Sequence, residues 1–308
     1  MRARATILAL ACAACVAPKS SPQAAATPEI AFAETRVPAS LAGATVQPAI
    51  AYATASRAET LDLFLPQHGT KPYPVVVRIH GGALRAGSPR ADSQGPAAER
   101  IVAAGYALAV VNYRVAPEAP FPAGARDVKA AVRFLRANAA QWDLDGTRFA
   151  AWGAGAGGWF AVMLGVTGDQ ATVFDDASLG NPVVSSAVQA VVAFFPPTDL
   201  TLYADNPLEE SLFGSWLGGI HRKQPELFRK ASPITYCRKT TAPTQFIHGT
   251  EDLLVAIDHS RTMHAKLKDI GVKTNLLEMP GESHGWLGNK VKRSTDRMFA
   301  FLDEVLKP

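Results

Sequence analysis

At 308 residues, 48% hydrophobic and 19% charged, the chain has the make-up of a soluble globular protein of enzyme size, too long for a module without a core and short enough for one large domain. The net charge of +4 and the pI near 9.0 come from scattered basic residues, with only a short local cluster at Lys290, Lys292 and Arg293. Neither a basic stripe nor a recognisable reading element is present, so nucleic acid is not an expected partner.

The chain opens with Arg2 and Arg4 ahead of an apolar stretch, residues 6–16, followed by Pro18, Pro22 and the small residues Ala24, Ala25 and Ala26. This pattern resembles a secretory signal over residues 1–26 and predicts export to the periplasm or beyond. Its apolar run falls short of the ~20 residues a transmembrane helix requires, and no later segment reaches that length. Residues 8–12 loosely resemble a bacterial lipobox in which Cys12 would carry a lipid anchor, with Cys15 a weaker candidate. Ala9 stands where leucine is usual, which favours ordinary signal cleavage. Cys237 is then the one cysteine of the body, and no intrachain disulfide can be drawn. Residues 27–48 read as a flexible linker, and residues 49–308 as the folded domain.

Within that domain, short apolar strands are expected at 75–80, 106–112, 149–152, 188–195, 244–248 and 274–278, with helices at 123–139, 156–166, 258–270 and 291–306. The alternation predicts an α/β class with a mostly parallel central sheet and helices on both faces. The first of these strands runs into His80-Gly81-Gly82. Residues 148–158 read as a strand, a sharp turn and a helix start in the frame Gly-x-Ser-x-Gly, carried by Gly153, Gly155 and Gly157. Gly155 occupies the middle position, where a nucleophilic serine would stand. The same residues also fit Gly-x-Gly-x-x-Gly through Gly153, Gly155 and Gly158, with Asp175 and Asp176 at the distance of a ribose-binding carboxylate. That dinucleotide reading is the remote alternative, because residues 167–174 hold hardly enough apolar sequence for a second parallel strand. Residues 201–236 form an insertion whose aromatics suit either a lid or ordinary packing. Further on, the strand at 244–248 leads to Gly249-x-x-Asp252, and the strand at 274–278 leads to a loop carrying His284. The order nucleophile position, acid, histidine is that of α/β-hydrolases and differs from other triad folds.

Together with LDLFLP at 61–66, VNYRVAPE at 111–118 and FPAGARDV at 121–128, these segments make the chain from about Ala49 onward resemble α/β-hydrolase carboxylesterases of the hormone-sensitive-lipase-like and BD-FAE feruloyl-esterase-like group. The resemblance implies an α/β-hydrolase fold and a small-molecule ester or carboxylic acid as ligand. It implies that Asp252 orients His284, that His284 is the base, and that the N–H groups of Gly82, Ala83 and Ala156 bind an oxyanion. Many relatives carry a third glycine where Ala83 stands. No metal or organic cofactor is expected. Trp152, Trp159 and Trp286 flank the expected site and suit either stacking on an aromatic acyl group or core packing.

Glycine cannot form an acyl-enzyme, so Gly155 predicts a severely impaired serine esterase. Three explanations follow, each of a different class. The chain is a pseudo-hydrolase that binds an ester, acid or partner; or a hydrolase in which His284 and Asp252 activate water; or an active esterase altered at one codon.

Overall fold

The computed structural model describes residues 41, 43–82, 96–204, 206, 208 and 210–307. The expected signal segment, Cys12, most of the expected linker and Ala83 lie outside the described residues.

Eight strands among the described residues form one sheet. They are β1 (Ala44–Ala51), β2 (Thr60–Pro66), β3 (Tyr73–Ile79), β4 (Ala107–Val111), β5 (Leu144–Ala154), β6 (Ala190–Phe194), β7 (Thr244–Gly249) and β8 (Thr274–Met279). Their spatial order is β1-β2-β4-β3-β5-β6-β7-β8. The β1–β2 and β2–β4 pairs are antiparallel, and all the others are parallel. The helices are α1 (Pro96–Ala103), α2 (Ala123–Ala137), α3 (Ala156–Thr167), the single turn α4 (Ser215–Leu217), α5 (Pro225–Lys230), α6 (Asp258–Asp269) and α7 (Asn289–Leu306).

The period-2 alternation of strands divides the core in two. Val75, Val77, Ile79, Ala109, Val111, Phe149 and Ala151 face one layer, which contains Val128, Val132 and Leu135 of α2, all of α3's large apolar side chains, and Met263 and Leu267 of α6. Val76, Leu108, Val110, Ala150 and Val192 face the other, with Ile101 and Val102 of α1 and Met298, Phe299, Phe301 and Leu302 of α7. Strands buried on both faces need no polar alternation, which is why β4 reads as an unbroken apolar run and β3 as one interrupted only by Arg78. Asp127, buried on α2, accepts hydrogen bonds from the backbone N–H and the guanidinium of Arg114, and so ties the loop after β4 to that helix.

One boundary differs from expectation. Residues 44–48 belong to β1 and not to the linker. β1 is an edge strand with a single neighbour and mostly exposed side chains, so its sequence lacks the apolar alternation of an interior strand. Pro48, which cannot donate to a ladder, sits where the β1–β2 register shifts between Gln47 and Ile50.

Candidate active site

The turn from β5 into α3 consists of one residue, Gly155, at φ +55° and ψ −118°. Side chains are strained at such a backbone angle, and glycine is not. Its flanks are fixed by contact. A Cβ on Gly153 would lie 2.0 Å from the Gly157 carbonyl oxygen, and a Cβ on Gly157 would lie 2.2 Å from that of Ile79. The reversal is held by the Gly155 N–H donating to Phe194 O at 3.0 Å and the Trp159 N–H donating to Gly155 O at 2.9 Å. The direction a side chain would take from Gly155 points at His284, whose Nε2 is 3.2 Å from the Cβ position.

His284 follows β8, and Asp252 follows β7. Main-chain bonds join their loops: Glu251 N–H to Glu282 O at 2.8 Å and Thr250 N–H to Met279 O at 3.1 Å, with Gly281 N–H to Thr250 Oγ1 at 2.9 Å. Gly249 is needed at this junction, since a Cβ there would lie 2.2 Å from Glu282 O. Asp252 is buried and accepts at Oδ1 from the N–H groups of Leu254 and Val255, each at 2.9 Å. Its Oδ2 lies 2.7 Å from His284 Nδ1. A carboxylate only accepts, so Nδ1 carries the proton and the neutral ring keeps its lone pair on Nε2. Burial pushes the Asp252 carboxyl pKa up, but hydrogen bonds from His248, His284 and the Val255 N–H outweigh it and hold the group well below the usual carboxylate range.

Two further residues complete the arrangement. His248 is fully buried, with Nε2 at 2.8 Å from Val255 O and 3.3 Å from Asp252 Oδ2, and Nδ1 at 2.7 Å from Ser260 Oγ. Both groups facing Nε2 only accept, so that nitrogen bears a proton. The one sequence signal for this role was a histidine at the end of an apolar strand, four residues before the acid. Phe195, in the loop after β6, places its ring 4.3 Å from that of His284 and 5.7 Å from that of Trp286. Its backbone is at φ +38°, unusual for a bulky residue. The run Phe194-Phe195-Pro196-Pro197 directly after a buried strand was the available hint.

Of the expected oxyanion donors, Gly82 is described at φ +117°, and Ala156 is the first residue of α3. The His80-Gly81-Gly82 loop passes against the end of β5: a Cβ on Gly81 would lie 3.0 Å from Ala154 O. His80 braces this loop, stacked on Tyr113 at 4.2 Å, while its carbonyl accepts from the Tyr113 hydroxyl at 2.7 Å.

The tryptophans separate. Trp159 is core, fully buried, with its indole N–H bonded to Ala231 O. The guanidinium of Arg78 covers Trp152 at 4.3 Å. Trp286 packs on Phe194 and Phe195 and donates to Ser294 Oγ. In the 201–236 insertion, Phe213, Trp216 and Leu217 are buried in the α3 layer, with Trp216 edge-on to Trp159 and Phe121. These aromatics are packing. The dinucleotide alternative also finds no support: no strand lies between α3 and Asp176, Asp175 pairs with Lys129, and Asp176 caps a short 3-10 turn through Ser178 N–H. Among the described residues, no group of three or more His, Cys, Asp or Glu side chains could hold a metal ion, and no helix is long and apolar enough to cross a membrane.

Comparison with known proteins supplies a context for this geometry. A family model described as BD-FAE matches residues 61–267. Esterase LipC of Mycobacterium tuberculosis is 30% identical over 224 residues, covering 70% of this chain and 54% of LipC. A truncated carbohydrate esterase from gut microbiota superposes with a TM-score of 0.76 at 27% identity, covering 87% of this chain and 99% of that one. A bifunctional GH43-CE protein of Bacteroides eggerthii gives a TM-score of 0.75 at 30% identity, covering 83% of this chain and 38% of that one. The chain spans about half the length of the curated relatives it matches.

Proposed function

Because the chain belongs to the BD-FAE family of α/β-hydrolase esterases, we propose that it presents a carboxylic-ester site in which serine-dependent turnover has been lost. The observation that carries this reading is the apex of the β5–α3 turn. It has the backbone angles of a nucleophile elbow, it points at an imidazole held by a buried carboxylate, and it bears no side chain. With serine there, the hydroxyl would attack the ester carbonyl and His284 would take its proton and return it to the leaving alcohol. Asp252 would hold the ring's tautomer and stabilise the imidazolium, while N–H groups at Gly82, Ala83 and Ala156 would face the oxyanion. Without it, the loss in a serine hydrolase is ~10⁶-fold in turnover. Recognition of an ester or carboxylic acid would survive the loss of the serine, because the expected oxyanion donors are main-chain N–H groups and need no side chain at residue 155. The amino-terminal pattern around Arg2, Arg4 and residues 6–16 supports work outside the cytoplasm.

The test is hydrolysis of a short-chain p-nitrophenyl ester by the unmodified protein, Gly155→Ser and Gly155→Ser/His284→Ala. The expected result is a kcat/KM for Gly155→Ser at least ~10³-fold above the unmodified protein, lost again in the double variant. A Gly155→Ser protein no faster than the unmodified one would remove the esterase-site reading.

A further inference from the structure

We propose that His284 acts in this chain as a nucleophile, taking an acyl group onto Nε2 from esters whose alcohols are as acidic as phenols. This rests on the ester-site reading above and extends it to a reaction that needs no serine.

The geometry points to Nε2 for four reasons. Nδ1 is committed to Asp252 at 2.7 Å, so the neutral ring directs its lone pair through Nε2. That nitrogen lies 3.2 Å from the Cβ position of residue 155, closer than side-chain atoms ordinarily approach a Cβ. The ring thus stands beside the volume a serine side chain would fill, which Gly155 leaves free for a substrate carbonyl. The side chain is 24% exposed, open to a ligand, and Phe195 supports it at 4.3 Å. His248, the other histidine on the same carboxylate, is buried with both ring nitrogens engaged.

The reaction balances without a co-reactant other than water. The Nε2 lone pair adds to the ester carbonyl carbon, and the carbonyl oxygen takes the negative charge facing the main-chain N–H groups of the turn. The C–O bond to the alcohol then breaks, and the phenolate leaves with the electron pair. An acyl-imidazolium remains on His284, and its charge is stabilised by Asp252. Water adds to the acyl carbon, the C–N bond breaks and returns its electrons to Nε2, and a carboxylic acid departs after loss of one proton to solvent. Alkyl esters are excluded by leaving-group order: from their tetrahedral adduct imidazole departs more readily than alkoxide, so the adduct reverts. Aryl esters are therefore the substrate class, and ethyl or methyl esters of the same acid are not.

The experiment mixes the unmodified protein with p-nitrophenyl acetate, quenches in acid, and maps acetyl groups by peptide mass spectrometry, alongside His284→Gln and Gly155→Ser. The expected result is one acetyl group on the peptide containing His284, its loss in His284→Gln, and its transfer to residue 155 in Gly155→Ser. Phenol release by the unmodified protein should show a solvent deuterium effect close to unity, and ethyl acetate should not turn over. Adduct mapping in the unmodified protein keeps the test valid even if His284→Gln folds poorly. Phenol release with a large solvent deuterium effect and no acetyl-histidine would overturn the inference in favour of water activation. So would release that persists in His284→Gln. No release and no adduct beside an active Gly155→Ser would overturn the inference and leave the ester-site reading standing. Inactivity of Gly155→Ser as well would overturn both.

Discussion

His248 and His284 meet on the same oxygen of Asp252: Oδ2 is 2.7 Å from His284 Nδ1 and 3.3 Å from His248 Nε2. The other oxygen is occupied by two main-chain N–H groups. The carboxylate is therefore held on all sides before it orients His284. In a Gly155→Ser background, His248→Gln is expected to lower kcat about tenfold with KM unchanged, matching the loss of one weak charge-assisted hydrogen bond of ~1.4 kcal/mol. Steady-state kinetics of the single and double variants check this. An unchanged kcat would mean that the two N–H groups hold Asp252 unaided.

Restoring the hydroxyl should cost stability. Gly155→Ser introduces a side chain at φ +55° and a Cβ 3.2 Å from His284 Nε2, so the ring must retreat by a few tenths of an ångström. Strain of this kind is worth ~1–3 kcal/mol. For a domain of this size, the melting temperature should fall by roughly 2–6 °C. Calorimetry of the two proteins at one pH decides the matter.

The flanking glycines are less forgiving than the apex. Gly157→Ala would drive a methyl group to 2.2 Å from Ile79 O, and Gly153→Ala one to 2.0 Å from Gly157 O, both main-chain atoms of the sheet and turn. Each substitution should destabilise by more than ~3 kcal/mol and abolish the activity that Gly155→Ser restores. Denaturant unfolding would show this as a lowered midpoint with an unchanged slope.

Acid sensitivity should trace to His259. Burial, aided by repulsion from His248, lowers its pKa to about 4, and Nδ1 accepts from the Asp199 N–H at 3.2 Å, a role only the unprotonated nitrogen can fill. The unfolded chain takes up this proton near pH 6.5, but the folded chain does so only near 4. The stabilisation, about 3 kcal/mol, is therefore complete above pH 6.5 and lost progressively as the pH falls to about 4. Melting temperatures across that window should fall in the unmodified protein and fall less steeply in His259→Gln.

The sequence carried the turn, the acid and the histidine because each follows an apolar strand and the spacing of small residues reflects contacts between backbones. It did not carry His248 or Phe195. Their roles depend on which loops meet in space, and a histidine at a strand end or a phenylalanine beside prolines has the same local signature whether or not it touches the site. β1 escaped for the opposite reason: an edge strand with exposed side chains and a proline has no apolar period to read. The aromatics of the 201–236 insertion looked equally suited to a lid until their burial against Trp159 assigned them to the core.

The order of the sheet sets where the protein can be held. β1 forms one edge, and β8, which leads to His284, forms the other. The imidazole itself stands beside Gly155 at the end of β5, four strand spacings of ~4.8 Å from β1, on the order of 20 Å. Attachment through an exposed side chain of β1, such as Gln47, to a surface or a bead therefore acts at that distance from the imidazole and not beside it.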